Sequence, residues 1–151
     1  MTIICNMLKS NVKLKCFSFV GIFSLLLGAL IYLIFRKETI FSEFFSNSQV
    51  VCYLQGLVKN FKCDFIRYYL ADFLWALSLS CGLHIVFNPQ MRGSFACSVI
   101  VVLFGASYEF LQYKKIINGT GDLADVCLYL LATITVNIIN LKVRERNEKN
   151  Y

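Results

Sequence analysis

Six side chains in this sequence have types and spacings that could act together: Asp72, Glu109, Gln112, Asp122, Asp125 and Tyr129. Glu109 and Gln112 lie three apart, and Asp122, Asp125 and Tyr129 follow i, i+3, i+7, so each set shares one face of a helix. Clustered carboxylates can hold a cation, a proton or a polar headgroup. A pair of them can also serve as general acid and base, or as oxygen ligands for a hard divalent ion. No G-x-S-x-G, H-E-x-x-H or phosphate-binding glycine loop accompanies them,. Gly119-Thr120-Gly121 lacks the lysine of such a loop and reads as a turn. No cofactor and no metal site is expected. No C-x-x-C pair occurs among the seven cysteines, the close spacing that zinc sites usually show,.

The elements that must position these residues follow from composition. Of 151 residues, 58% are hydrophobic and 16% charged. A globule of this size keeps much of its surface in water and cannot hide so much apolar side chain. A single proline and an aromatic share of 15% also exclude a disordered chain,. The chain reads as all-α and integral to a membrane. Four stretches approach the ~20 residues that cross a hydrocarbon core: about 16–35, 70–87, 94–110 and 123–141. They form one membrane domain, 16–141, between a basic segment, 1–15, and a charged tail, 142–151. The first run is longer than a signal peptide's apolar core, so an uncleaved span is expected. Gly21, Ser24 and Gly28 share one face of it and let another helix come close. Asn88-Pro89-Gln90 ends the second span by geometry, and short connections make spans two to four an antiparallel set.

Between spans one and two, Val50, Val51, Leu54, Leu57, Val58 and Phe61 recur at helical spacing opposite Gln55, Lys59, Asn60 and Lys62. This predicts an amphipathic helix lying in the headgroup plane, with a helix packed on the bundle end as the competing reading. Cys52 and Cys63 share this connection and could pair in an oxidising compartment. The net charge of +6 comes from basic residues set between apolar runs, which points to lipid phosphate and topology rather than nucleic acid. Lys and Arg divide almost evenly between the two faces, whereas the acids concentrate opposite the termini. Both termini are expected in the cytoplasm.

On this threading, Asp72, Glu109, Asp122 and Asp125 all fall at the membrane face opposite the termini. A charge at the bilayer centre costs ~3 kcal/mol or more, and span ends cost less. Asp72, Asp122 and Asp125 gain from helix N-termini, but Glu109 sits at a C-terminal end and does not. A polar pocket open to one leaflet explains the grouping. His84, near the other face, reads as an interfacial or satisfied histidine. Trp75 reads as an interface anchor that could also wall the pocket.

The run Tyr69 to Leu77, then Glu109-Phe-Leu-Gln112, then Gly119-Thr-Gly-Asp122-Leu-Ala-Asp125, resembles the VanZ-like family of small bacterial membrane proteins. That family's pattern is E-x-x-Q followed by R-x-x-D-x-x-D-x-x-x-N opening the last span. Glu109, Gln112, Asp122 and Asp125 match it, while Gly119 stands in the arginine position and Tyr129 in the asparagine position. The resemblance covers roughly residues 68–130. It implies a multi-span protein of the bacterial cell membrane; the family is named for a member linked to low-level teicoplanin resistance. The expected function is recognition, through the acidic pocket, of a polar or cationic group of an envelope lipid, precursor or glycopeptide antibiotic. Membrane lipids are the expected partners, with no nucleic acid. An enzyme on a lipid-linked substrate and a proton-coupled transporter are the alternatives.

Overall fold

The computed structural model describes residues 2–35, 49–58, 65–87, 91–117 and 121–149. Among these, every regular element is a helix. α1 covers Thr2–Phe35, α2 Gln49–Val58, α3 Ala71–Phe87, α4 Met91–Tyr113 and α5 Leu123–Lys149, and a π-helical stretch, Phe65–Leu70, runs directly into α3. Three segments are long and apolar enough to cross a membrane: Lys13–Phe35, Gly93–Tyr113 and Leu123–Arg146, with mean hydropathies of 2.4, 1.8 and 1.8. α3 is also apolar but has 17 residues. Phe19, Leu26, Phe95, Phe104 and Leu131 all stand more than half exposed. Helices that are apolar outside as well as inside suit lipid rather than water.

The helices run up and down. On α1, Gly21 lies beside Cys81 and Gly28 beside Leu74, so α1 is antiparallel to α3. A Cβ on Gly21 would lie 3.1 Å from that of Cys81, and one on Gly28 3.3 Å from that of Leu74. The face made of Gly21, Ser24 and Gly28 is therefore the one α3 packs against, and Ser24 is buried there. α4 folds back along α3, and α5 back along α4: Asn137 meets Ser98 at one end of that pair and Tyr129 meets Glu109 at the other. α3 packs against α1, α4 and α5. Its Ala76, Leu77 and Cys81 form the main core with Phe17, Val101, Tyr129, Ala132 and Val136, and a smaller cluster of Ile31, Ala71 and Leu74 closes the α1–α3 seam.

Several helix ends lie beyond the apolar runs. α1 begins at Thr2, so the basic segment is helical. α5 continues to Lys149, through most of the charged tail. Lys, Arg and Glu are good helix formers, and neither stretch contains a glycine or proline to stop the helix. α4 extends to Tyr113 and ends in a Schellman motif: Ile116 N–H donates to Leu111 O at 3.0 Å and Lys115 N–H to Gln112 O at 2.8 Å,. Lys115 takes the left-handed position, at φ 57°.

α2 lies within the connection where the amphipathic helix was expected. Gln55 Nε2 donates to Leu33 O at 3.0 Å, one of the carbonyls that the last turn of α1 leaves without a helical partner,. That contact belongs to a helix packed on the bundle end. Lys59, Asn60, Phe61, Lys62 and Cys63 lie outside the described residues, and with them the rest of the amphipathic pattern and the Cys52–Cys63 pairing. The Asn88-Pro89-Gln90 turn also lies outside them, as do Gly119 and Thr120.

Candidate functional site

At the bundle end opposite the termini, Glu109 is 6% exposed. Each oxygen of its carboxylate has a donor from the α5 side. Tyr129 Oη–H donates to Oε1 at 2.9 Å, and the backbone N–H of Asp122 donates to Oε2 at 3.1 Å. Asp122 is the N-cap of α5, its Oδ1 accepting from Ala124 N–H at 3.0 Å,. In a capping box, a Glu three residues into a helix reaches back to the N-cap N–H. Here that acceptor comes from another helix, 13 residues earlier in the chain. Glu109 gains nothing from the dipole of its own helix, but it faces the positive end of α5.

Two glycines make this approach possible. A Cβ on Gly105, one turn before Glu109, would overlap the Cδ2, Cε2 and Cγ atoms of the Tyr129 ring. A Cβ on Gly121 would lie 2.5 Å from Glu109 O and 2.6 Å from Tyr113 N. Gly121 brings the chain against the end of α4, and Gly105 lets the ring lie flat on it.

The π-helical stretch contributes Tyr69, whose hydroxyl donates to Asp122 Oδ2 at 3.3 Å. Asp72, in the first turn of α3, and Asp125, in the first turn of α5, are half-buried. Tyr129, buried on α5, ties that helix to α4 through Glu109. Gln112 is half-buried one turn beyond Glu109. Among the described residues no hydrogen bond ties its side chain to the cluster, and its carbonyl serves the Schellman motif instead. Trp75 is 47% exposed on α3, with one edge against Gly28. Among the described residues, no three His, Cys, Asp or Glu side chains gather closely enough to hold a metal ion.

Sequence reading did not single out Tyr69, Gly105 or Gly121 as parts of the site. The signal for Gly105 is a lone glycine one turn before a span-end glutamate, and for Gly121 a glycine directly before an N-cap aspartate. Tyr69 carries no local signal, because its partner is 53 residues away.

His84 lies near the opposite end and is buried and fully engaged. Nδ1–H donates to Ser80 O at 2.8 Å, and Nε2 pairs with Ser94 Oγ at 2.9 Å. Ser94 Oγ also accepts from Asn140 Nδ2 at 2.8 Å, and Ser98 Oγ accepts from Asn137 Nδ2 at 2.9 Å. Phe17 stacks on the imidazole with ring centroids 5.4 Å apart. The arrangement is a polar staple joining α3, α4 and α5.

No protein-family model, curated protein or solved structure matches this chain.

Proposed function

We propose that the chain is a four-span membrane protein whose acidic end recognises a polar or cationic group of an envelope lipid, a lipid-linked precursor or a glycopeptide, in the manner of the VanZ-like proteins it resembles. α3 is the fourth span in this reading. Its 17 residues continue a six-residue π-helical stretch, and it lies among the three longer apolar helices. The observation that carries the functional reading is the carboxylate pair held at this end: Tyr129 Oη–H and Asp122 N–H donate to Glu109, and Tyr69 Oη–H donates to Asp122. Each carboxylate oxygen has two lone pairs, and the internal hydrogen bonds of Glu109 use one on each. Acceptor capacity remains for a donor-rich cationic headgroup at the membrane surface. Membrane-level acids mark binding paths more often than they serve as scaffolding.

The test uses full-length protein purified in a mild neutral detergent, with co-purifying lipids identified by mass spectrometry. The double variant Glu109→Gln, Asp125→Asn should insert and fold yet lose a lipid or precursor that the wild type retains. In a glycopeptide-susceptible host, the wild type should lower teicoplanin susceptibility and the double variant should not. Equal lipid retention and equal susceptibility for the two proteins would overturn the reading.

A further inference from the structure

An exposed face of α4 carries a feature that neither the acidic cluster nor the His84 staple uses. Leu103, Ala106, Ser107, Phe110 and Leu111 line an open groove of about 360 Å³. The small side chains at 106 and 107 lie between Leu103 and Phe110, which stand 61% and 58% exposed. A serine would interrupt an apolar surface, but the Ser107 hydroxyl donates to Leu103 O at 2.6 Å and is satisfied within its own helix,. The groove is therefore lined mainly by hydrocarbon.

A cation stands at one end of it. Leu103, Ala106, Ser107, Phe110 and Lys114 follow i, i+3, i+4, i+7, i+11 and so share one helical face,. The Lys114 ammonium lies 5.6 Å from the centroid of the Phe110 ring and 5.8 Å from that of Tyr113. The two rings hold it above the residue that closes the groove, a cation–π arrangement, while Lys114 stays exposed,. The apolar segment of α4 ends at Tyr113. The groove therefore falls at hydrocarbon depth when α4 crosses a membrane, and Lys114 falls just beyond it. Lys115, next in the chain, is exposed as well. An apolar trough followed by a fixed positive charge has the order of an acyl chain followed by a phosphate.

We propose that this groove and Lys114 hold one anionic phospholipid, with an acyl chain along α4 and the headgroup phosphate on the ammonium. The proposal rests on α4 crossing a membrane and not on the ligand assigned to the acidic end. Glu109 lies on another face of α4, where its carboxylate accepts from Tyr129 and from Asp122 N–H. A lysine ammonium is a compact point charge with three donors, suited to a single phosphate oxygen without the planar match that a guanidinium needs. A phospholipid supplies the apolar occupant and the counter-charge in one molecule, in the order the helix presents them.

The experiment follows the thermal unfolding of full-length protein in a neutral maltoside detergent, titrated with phosphatidylglycerol or with phosphatidylcholine of the same acyl chains. Phosphatidylglycerol should raise the wild-type midpoint at lower concentration than phosphatidylcholine. Lys114→Gln should weaken the apparent affinity for phosphatidylglycerol about fivefold, the worth of one basic residue near a headgroup, and bring the two lipids level. Lys142→Gln, exposed on α5 at the other end, should leave the preference unchanged. Ala106→Phe and Ser107→Phe fill the groove and should weaken both lipids alike. Ser107 is exposed, so a folding defect in the first variant leaves the second to decide. Equal wild-type affinity for the two lipids, a Lys114→Gln response equal to wild type, or undiminished binding in the filled Ser107→Phe protein overturns the proposal. So does a change of oligomeric state in the filled variants without a change in lipid response, which would assign the groove to a second copy of the chain. The Glu109→Gln, Asp125→Asn double variant should keep the wild-type lipid preference, which separates this site from the acidic end.

Discussion

Glu109 sits at the end of a helix whose dipole opposes its charge, so its stability depends on donors brought from elsewhere. Tyr129 Oη and Asp122 N–H are those donors. Removing one leaves a buried oxygen without its partner, which costs more than a hydrogen bond between exposed groups contributes. Tyr129→Phe should therefore destabilise the protein by roughly 1.5–3 kcal/mol, the range for a hydrogen bond to a charged group. Unfolding in mixed micelles of increasing dodecyl sulfate measures this. Paired with Glu109→Gln in a double-mutant cycle, the two changes should be markedly non-additive, because they act on one bond. Additive effects would mean that Tyr129 stabilises the fold through its ring alone.

At the scale of elements, the turn after α4 matters most, since it sets where α5 begins and so where Asp122 and Asp125 stand. Its Schellman motif places Lys115 in the left-handed region, where a Cβ is unfavourable, at φ 57°,. Glycine has no such penalty there. Lys115→Gly should stabilise the protein by about 1 kcal/mol, the lower end of the cost of that conformation for an L-residue. An unfolding midpoint equal to or below wild type would show that the lysine side chain contributes something that offsets its backbone strain. The seam between α1 and α3 uses another device: glycines at 21 and 28 bring the backbones together without any polar bond. Van der Waals packing of this kind is what remains to hold helices together where lipid is the solvent.

For the whole molecule, the two ends of the bundle differ in chemistry. One holds Glu109 and Asp122 among Tyr129 and Tyr69; the other holds the His84 staple, with Lys13 over the Phe17 ring. With the termini in the cytoplasm, as expected from the sequence, each Lys or Arg at that end near an anionic leaflet would be worth ~1 kcal/mol. The placement can be checked with single-cysteine variants, in a background whose native cysteines are replaced by alanine, using an impermeant thiol reagent on intact cells. Lys114→Cys, in the exposed turn, should label, and Glu145→Cys, exposed on the terminal part of α5, should not. The reverse pattern would place the carboxylates inside the cell and remove envelope ligands from their reach.

Composition and spacing were enough to determine that the chain is helical and too apolar for a water-facing globule, because both are properties of runs of residues along one strand of sequence. The small-residue face at Gly21, Ser24 and Gly28 was legible for the same reason, and so was the shared face of Asp122, Asp125 and Tyr129. Helix ends were less legible: α1 and α5 continue through charged segments that hydropathy separates from them, because charge stops a membrane run without stopping a helix. What the tertiary structure alone decided is which groups meet. Tyr69 reaches Asp122, Glu109 takes the N–H of the α5 N-cap, and Asn140 reaches Ser94 across gaps of 53, 13 and 46 residues. No local pattern encodes such pairs. They follow from how closely helices can approach, and at Gly105 and Gly121 that distance is set by the absence of a single carbon atom.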